Sequence, residues 1–220
     1  NTGSVTASNC QIAPTTTVAA SFTYQTTDPG TNELVGIQGQ PADVASNGSQ
    51  SFLITFTPTS AFNATDIELS FSCDNAPAAP VFSGLNTVLL VADDNPVPDV
   101  VALASTPTTP GVIDIPGVGG TGFFAVASVN VGVDGDIAVT AEMTDGDPSV
   151  TLSICETNPS TGACINPTTP TTGAVNTTIT ANATPTFSIF ASASSAVALD
   201  PAGKRVRVNF SDQTGGTIRG

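Results

Sequence analysis

Histidine and tryptophan are missing from this 220-residue chain, tyrosine and methionine occur once each, and only four residues are basic. Each scarcity removes a class of chemistry. Without an imidazole there is no base for a Ser-His-Asp or Cys-His arrangement. A Ser-Lys dyad would have to use Lys204, the only lysine, which sits on a Pro201-Ala202-Gly203 turn beside Arg205 and Arg207. Paired carboxylates for glycoside hydrolysis could come from the 18 acids, but a sugar cleft also needs aromatic platforms. Tyr24 alternates in step with Phe22 and reads as core, so that platform is absent, and a carbohydrate-binding module is disfavoured for the same reason. The expectation is a protein that is not an enzyme.

Positive charge is equally scarce. Lys204, Arg205, Arg207 and Arg219 stand against 18 acids, for a net charge of −14. A nucleic-acid footprint needs many phosphate-neutralising side chains on one face, which excludes that partner. The acidity also opposes docking on anionic lipid. No run approaches the roughly 20 apolar residues of a membrane-spanning helix. The most apolar stretch, residues 123–133, is interrupted by Ser128 and Asn130 and reads as strand. The chain opens on Asn1 with neither Met nor a signal peptide, which predicts a processed product or a fragment.

What remains is rich in Thr, Ala, Ser, Val, Gly and Pro, a mixture of strand formers and turn formers with no sustained helical spacing. Period-2 alternation is plain in several places. Ile67, Leu69, Phe71 and Cys73 alternate with Glu68, Ser70 and Ser72. Phe52, Ile54 and Phe56 alternate in the same way, as do Val206, Val208 and Phe210 around Arg207 and Asn209. One wet face per strand marks antiparallel sheets packed as a sandwich. The continuous apolar runs 88–91 and 100–103 are expected to be strands covered on both faces. Between them lies Asp93-Asp94-Asn95-Pro96-Val97-Pro98-Asp99, whose two prolines predict an extended connector. This places the domain boundary between 96 and 97.

The two halves can be laid over each other. Ser21-Phe22-Thr23-Tyr24-Gln25-Thr26-Thr27-Asp28-Pro29 matches Thr151-Leu152-Ser153-Ile154-Cys155-Glu156-Thr157-Asn158-Pro159. Ser51-Phe52-Leu53-Ile54 matches Thr186-Phe187-Ser188-Ile189, Ser70-Phe71-Ser72 matches Asn209-Phe210-Ser211, and Ser4-Val5-Thr6-Ala7 matches Ala138-Val139-Thr140-Ala141. The spacing drifts over roughly 130–140 residues, as loop insertions in a diverged tandem repeat would produce. On this alignment the first unit lacks opening strands and the second lacks its last one. Three readings follow: a fragment of a longer array, a first unit with fewer strands, or exchange of a terminal strand between subunits. For exchange, Val5, Thr6 and Ala7 and the strand of Arg207 are the expected open edges, with residues 1–8 as donor.

Four cysteines without a CxxC pair or any His make disulfides a better account than zinc. Cys155 and Cys164 bracket a turn-rich Asn-Pro-Ser-Thr-Gly segment whose counterparts in the first unit are Gln25 and Leu34. Cys10 and Cys73 then pair, the one arrangement that keeps each bond within its own domain. Acidic turns are the other candidates. Asp93, Asp94 and Asp99 surround the linker, and Asp134-Gly135-Asp136 and Asp145-Gly146-Asp147 form two further turns. Calcium takes six to eight oxygens from such loops, so the linker acids are the candidate calcium ligands. Ordinary Asp-Gly hairpin chemistry is the competing account.

Alternation, Thr-rich composition, acidic linker and cystines together resemble the immunoglobulin-like tandem repeats of bacterial extracellular surface proteins, adhesins and filament subunits. That resemblance implies an all-β chain of two tandem immunoglobulin-like antiparallel sandwiches, residues 1–96 and 97–220. It also implies export to the cell surface, self-association head to tail, and a structural role in a filament or arrayed surface protein. A stalk segment of a large adhesin and a calcium-dependent binding module are the alternatives.

Overall fold

The computed structural model describes residues 1–108 and 111–220. These residues contain fourteen β-strands and no helix, so no helix is long and apolar enough to cross a membrane. The chain divides into two compact units, Asn1–Asp94 and Asn95–Gly220. The division falls at the start of the proline-rich segment.

The first unit contains β1 (Ala7–Pro14), β2 (Ala20–Thr27), β3 (Ala42–Val44), β4 (Ser51–Pro58), β5 (Phe62–Ser72) and β6 (Thr87–Ala92). One sheet runs β3-β1-β5-β6 and the other is the pair β2-β4, all antiparallel. Alternation aims Ile12, Ile67 and Leu69 from the larger sheet and Tyr24 from the smaller at one core. Phe22, Phe52, Ile54 and Phe56 complete the smaller sheet's inner face but are only partly buried.

The second unit contains β7 (Val100–Ser105), β8 (Thr121–Asn130), β9 (Gly135–Met143), β10 (Val150–Thr157), β11 (Cys164–Thr171), β12 (Val175–Ile179), β13 (Thr186–Ala193) and β14 (Val206–Asp212). Its sheets are β11-β10-β13-β8-β7 and β12-β9-β14. Their inner faces share a core of Phe124, Val126, Ile154, Phe187 and Ile189 against Ile137, Val139, Val175, Ile179 and Phe210. Phe187 and Phe210 meet edge to face across the layers at 5.6 Å.

Both units follow one pairing plan. The order β3-β1-β5 in the first has β12-β9-β14 as its counterpart in the second, and β2-β4 has β10-β13. The sequence matches place the last three of these counterparts at the right strands. The match of residues 4–7 to 138–141 needs correction, because β1 starts only at Ala7 and the whole of β1 answers β9.

Two further expectations change. The runs 88–91 and 100–103 are not covered on both faces: β6 and β7 each end a sheet, and Val101, Leu103 and Leu89 are exposed. The second half of the Pro-rich stretch is not a free connector. Val133 and Val131 donate backbone hydrogen bonds to Val97 and Asp99, and Pro98 is buried. That approach is close enough that a side chain on Gly132 would strike the Val97 carbonyl, and one on Gly135 the Pro98 ring. Finally, beyond β14 the second unit has no further named strand among the described residues, only an isolated bridge between Ser211 and Ile218. Residues 217–220 run beside β14, with Arg219 N donating to Phe210 O at 2.7 Å and Phe210 N to Gly220 O at 2.9 Å.

Asn130, which in the sequence only interrupts an apolar run, is fully buried at the end of β8. Its Nδ2 donates to the carbonyls of Val133 and Ile179 at 2.7 and 3.0 Å. Its Oδ1 accepts from the amides of Asp99 and Gly132, both at 3.0 Å. One amide thus satisfies the backbone of three turns that have no ladder of their own. Asn130→Ala leaves four backbone groups, one in a buried bond and three in part-buried ones, without this partner and is expected to lower stability by about 2 kcal/mol, read by urea unfolding of the second unit. A loss below about 1 kcal/mol would show that the turns satisfy themselves by other means.

Candidate functional site

The two cystines join the partners expected from the sequence. Cys10 bonds Cys73 across a separation of 63 residues, and Cys155 bonds Cys164 across 9. Among the described residues no cysteine is free. The first bond ties β1 to the end of β5, and the second ties β10 to β11 near their turn.

That turn recurs in the first unit, atom for atom. Asn158 Oδ1 accepts from the amides of Ser160 and Thr161, and Asp28 Oδ1 accepts from those of Gly30 and Thr31. Thr161 Oγ1 accepts from Ala163 N as Thr31 Oγ1 accepts from Glu33 N. Gly162 and Asn32 both take the left-handed conformation, at φ 70° and 59°. The amides of Gly30 and Thr31 hold the Asp28 carboxyl below its usual range. Directly beneath each turn lies a buried hydroxyl pair, Thr27 with Ser51 and Thr157 with Thr186, both at 2.7 Å. Because Thr27 and Thr157 each open the same pairing, Ser51 of β4 and Thr186 of β13 are equivalent positions.

The equivalence exposes a difference. β13 has β10 on one side and β8 on the other, and its inner residues Phe187 and Ile189 are fully buried. β4 has only β2, and no described strand pairs with its other edge. Phe52, Ile54 and Phe56 are consequently half-buried, and Leu53 is 49% exposed. β7 presents a second edge, covered at its start, where Val100 N donates to Arg219 O at 2.7 Å, and with no described strand paired beyond; Val101 is 52% and Leu103 75% exposed. Neither strand carries a charged residue. Edge strands are ordinarily guarded by charge, proline or bulges, and the middle of both these edges has none of them.

The residues expected to form the open edges are tied down. The Asn1 ammonium donates to Gly48 O at 2.9 Å, and its side chain to the carbonyls of Val5, Val44 and Ala45. Asn75 Nδ2 donates to Thr6 O, and Ala7 pairs with Val44. Residues 1–8 are therefore held against their own unit by polar contacts that a donor arm would have to surrender. Val5 is exposed but lies outside any strand. Arg207 sits in β14 opposite Glu142 of β9.

The acidic turns are also engaged. Asp134 caps Ala181 N at 2.7 Å, and Asp136 accepts from the Thr178 hydroxyl at 2.6 Å. Lys204 reaches Asp145 at 3.1 Å and Asp147 at 2.5 Å, so a lysine ammonium already occupies the position between these two carboxylates. The ammonium, the Ser149 hydroxyl and the Ser149 amide hold Asp147 far below the ordinary carboxylate range. The Asp147 amide and Lys204 lower Asp145, and the two carboxylates raise Lys204. Among the described residues no three His, Cys, Asp or Glu side chains are grouped to hold a metal. The candidate calcium ligands Asp93, Asp94 and Asp99 fall on both sides of the division between the units. Asp93 and Asp94 end the first unit, whereas Asp99 is engaged through its backbone with Asn130 and Val131 in the second.

Two measurements follow. In the chain-entropy account the longer loop restrains the unfolded chain more, so replacing Cys10 and Cys73 by Ser costs about 4 kcal/mol and replacing Cys155 and Cys164 about 3. Denaturant unfolding of the two double variants gives that order, and a reversed order would contradict it. For the Lys204 clasp, the carboxylates are lowered, so their contribution is present above pH 4 or so and fades as acid protonates them. Lys204 is raised, so its contribution is complete below about pH 10 and fades above its folded pKa. Protection factors at residues 144–149, with the intrinsic pH dependence of amide exchange divided out, should be flat between these limits and fall outside them. Lys204→Met should lower protection there at neutral pH and remove the alkaline fall, and salt should weaken the contrast.

No protein-family model, no characterised protein and no solved structure matches this chain.

Proposed function

We propose that this chain is a structural subunit of an extracellular bacterial assembly, a filament or an arrayed surface protein, built from tandem immunoglobulin-like units. The observation that carries the reading is that both units place uncharged strands at sheet edges, β4 and β6 in one and β7 in the other. An open edge exposes a row of backbone donors and acceptors to any extended chain. Several such edges on one molecule, on different strands, favour a heterologous contact that propagates instead of closing. Two further observations agree. Two cystines suit an oxidising compartment outside the cytoplasm. Repetition of one pairing plan, down to its turns and buried hydroxyls, is how arrayed proteins extend their length.

In mechanical terms the ladders resist shear along the strands, and the cystines limit how far each unit can open. The partner is another copy of the same kind of unit, met by strand addition in which main-chain bonds supply affinity and alternate side chains supply register.

Light scattering over a concentration series, with electron microscopy of the same samples, tests the proposal. Self-association that grows with concentration and yields regular assemblies is expected. Leu53→Lys and Leu103→Lys, which each place a charge on one open edge, should reduce it at unchanged melting temperature. A chain that stays monomeric at every concentration would sink the assembly reading and leave the adhesin stalk.

A further inference from the structure

We infer that the open edge of β4 is a strand-binding site whose occupant is an antiparallel strand of the β8 sequence pattern, carried as an unpaired extended segment by another subunit of the assembly. The inference rests on reading the chain as part of an assembly of such units. It goes beyond that reading by naming the edge, the occupant and the register.

The second unit shows an occupied version of the same edge. There β8 lies against β13 with Val126 opposite Phe187, Phe124 opposite Ile189 and Gly122 opposite Ala191. These β8 residues face the core, and Phe124, Val126, Phe187 and Ile189 all belong to it. Since Ser51 answers Thr186, the positions Phe52, Ile54 and Phe56 answer Phe187, Ile189 and Ala191. A strand of the β8 pattern on β4 would put Val126 opposite Phe52 and Phe124 opposite Ile54. These are the two side chains whose counterparts are fully buried and which are themselves half-buried. Burial of apolar surface and pairing of the free main-chain groups then act together.

The third position adds selectivity. Where β13 has Ala191, β4 has Phe56, which already packs on Phe22 at 5.0 Å. Little volume remains opposite it, so the occupant needs a residue as small as Gly122 there. The outer face asks for less, because Leu53 and Thr55 are solvent-facing and accept most side chains. The recognition pattern is therefore small, apolar, apolar at alternate positions, with no charge between them. The segment Gly122-Phe123-Phe124-Ala125-Val126 has this pattern.

The experiment uses the full chain and a synthetic peptide of residues 121–130 with a lysine tail for solubility. Amide exchange of β4 is followed by mass spectrometry in dilute solution. At about ten times its Kd the peptide should slow β4 exchange about tenfold. β13, whose edge is already covered, should be unchanged. Peptides carrying Phe124→Asp and Val126→Asp should have no effect, and Gly122→Phe should bind more weakly than the parent. Three results would overturn the assignment. One is fast β4 exchange that the peptide leaves untouched. The second is slow β4 exchange in the dilute chain alone, meaning the edge is closed from within. The third is protection that grows with chain concentration and vanishes in Leu103→Lys, which would seat β7 of a second copy there instead. Peptide binding by a chain that never self-associates would fail the assembly reading while leaving the β4 site standing.

Discussion

The pairing of β8 with β13 is the interaction on which the second unit depends. It closes the backbone of β13 on its second side and lays Phe124 and Val126 over Phe187 and Ile189. β13 then becomes a fully interior strand whose inner residues contact nothing but protein. The first unit has the same plan without that strand, and the consequence is visible at each equivalent position. Its fully buried residues are fewer, Phe22, Phe52 and Phe56 are only half-buried, and its smaller sheet has two strands. A two-stranded layer can shield only part of a core, whatever residues it carries.

Around that difference the chain spends its few polar and covalent devices on turns. Asn130 satisfies the backbone where β8 ends and the proline-rich segment enters. Lys204 gathers the two carboxylates of the 145–147 turn, and Arg219 pairs with Asp212 at 2.8 Å at the end of β14. The cystines hold strand ends, one at the mouth of a hairpin and one between β1 and β5. Among these few basic residues, Lys204 lies between two carboxylates that would otherwise repel one another, and Arg219 neutralises a third.

Much of this was legible before any coordinates. Strand positions followed from alternation because a sheet with one wet face imposes period two on its side chains, as β4 and β5 show around Phe52, Ile54 and Phe56 and around Ile67 and Leu69. The cystine partners followed from keeping each bond inside its own unit. The repeat followed from the Thr-Asp-Pro and Thr-Asn-Pro segments, which turned out to build one and the same turn. Legibility failed where a residue's role depends on what lies beside it in space. Asn130 looked like an interruption because two of its four partners, Asp99 and Ile179, lie far along the chain. Residues 1–8 looked like a free arm because their anchors, Val44 to Gly48 and Asn75, lie far along the chain. The linker carboxylates looked like a ligand set because they are close in sequence, but Asp99 belongs to a strand pairing that begins before β7.

Sequence alone determined the all-β class of the structure and much of its strand placement. Those follow from residue type and local period, which act over a few positions. Only the tertiary structure decided which strands stand at the edges. Edge and centre are properties of neighbours, and β4 and β13 carry nearly the same alternation. What separates them is whether a strand from elsewhere lies alongside, and no local pattern in β4 itself can record that.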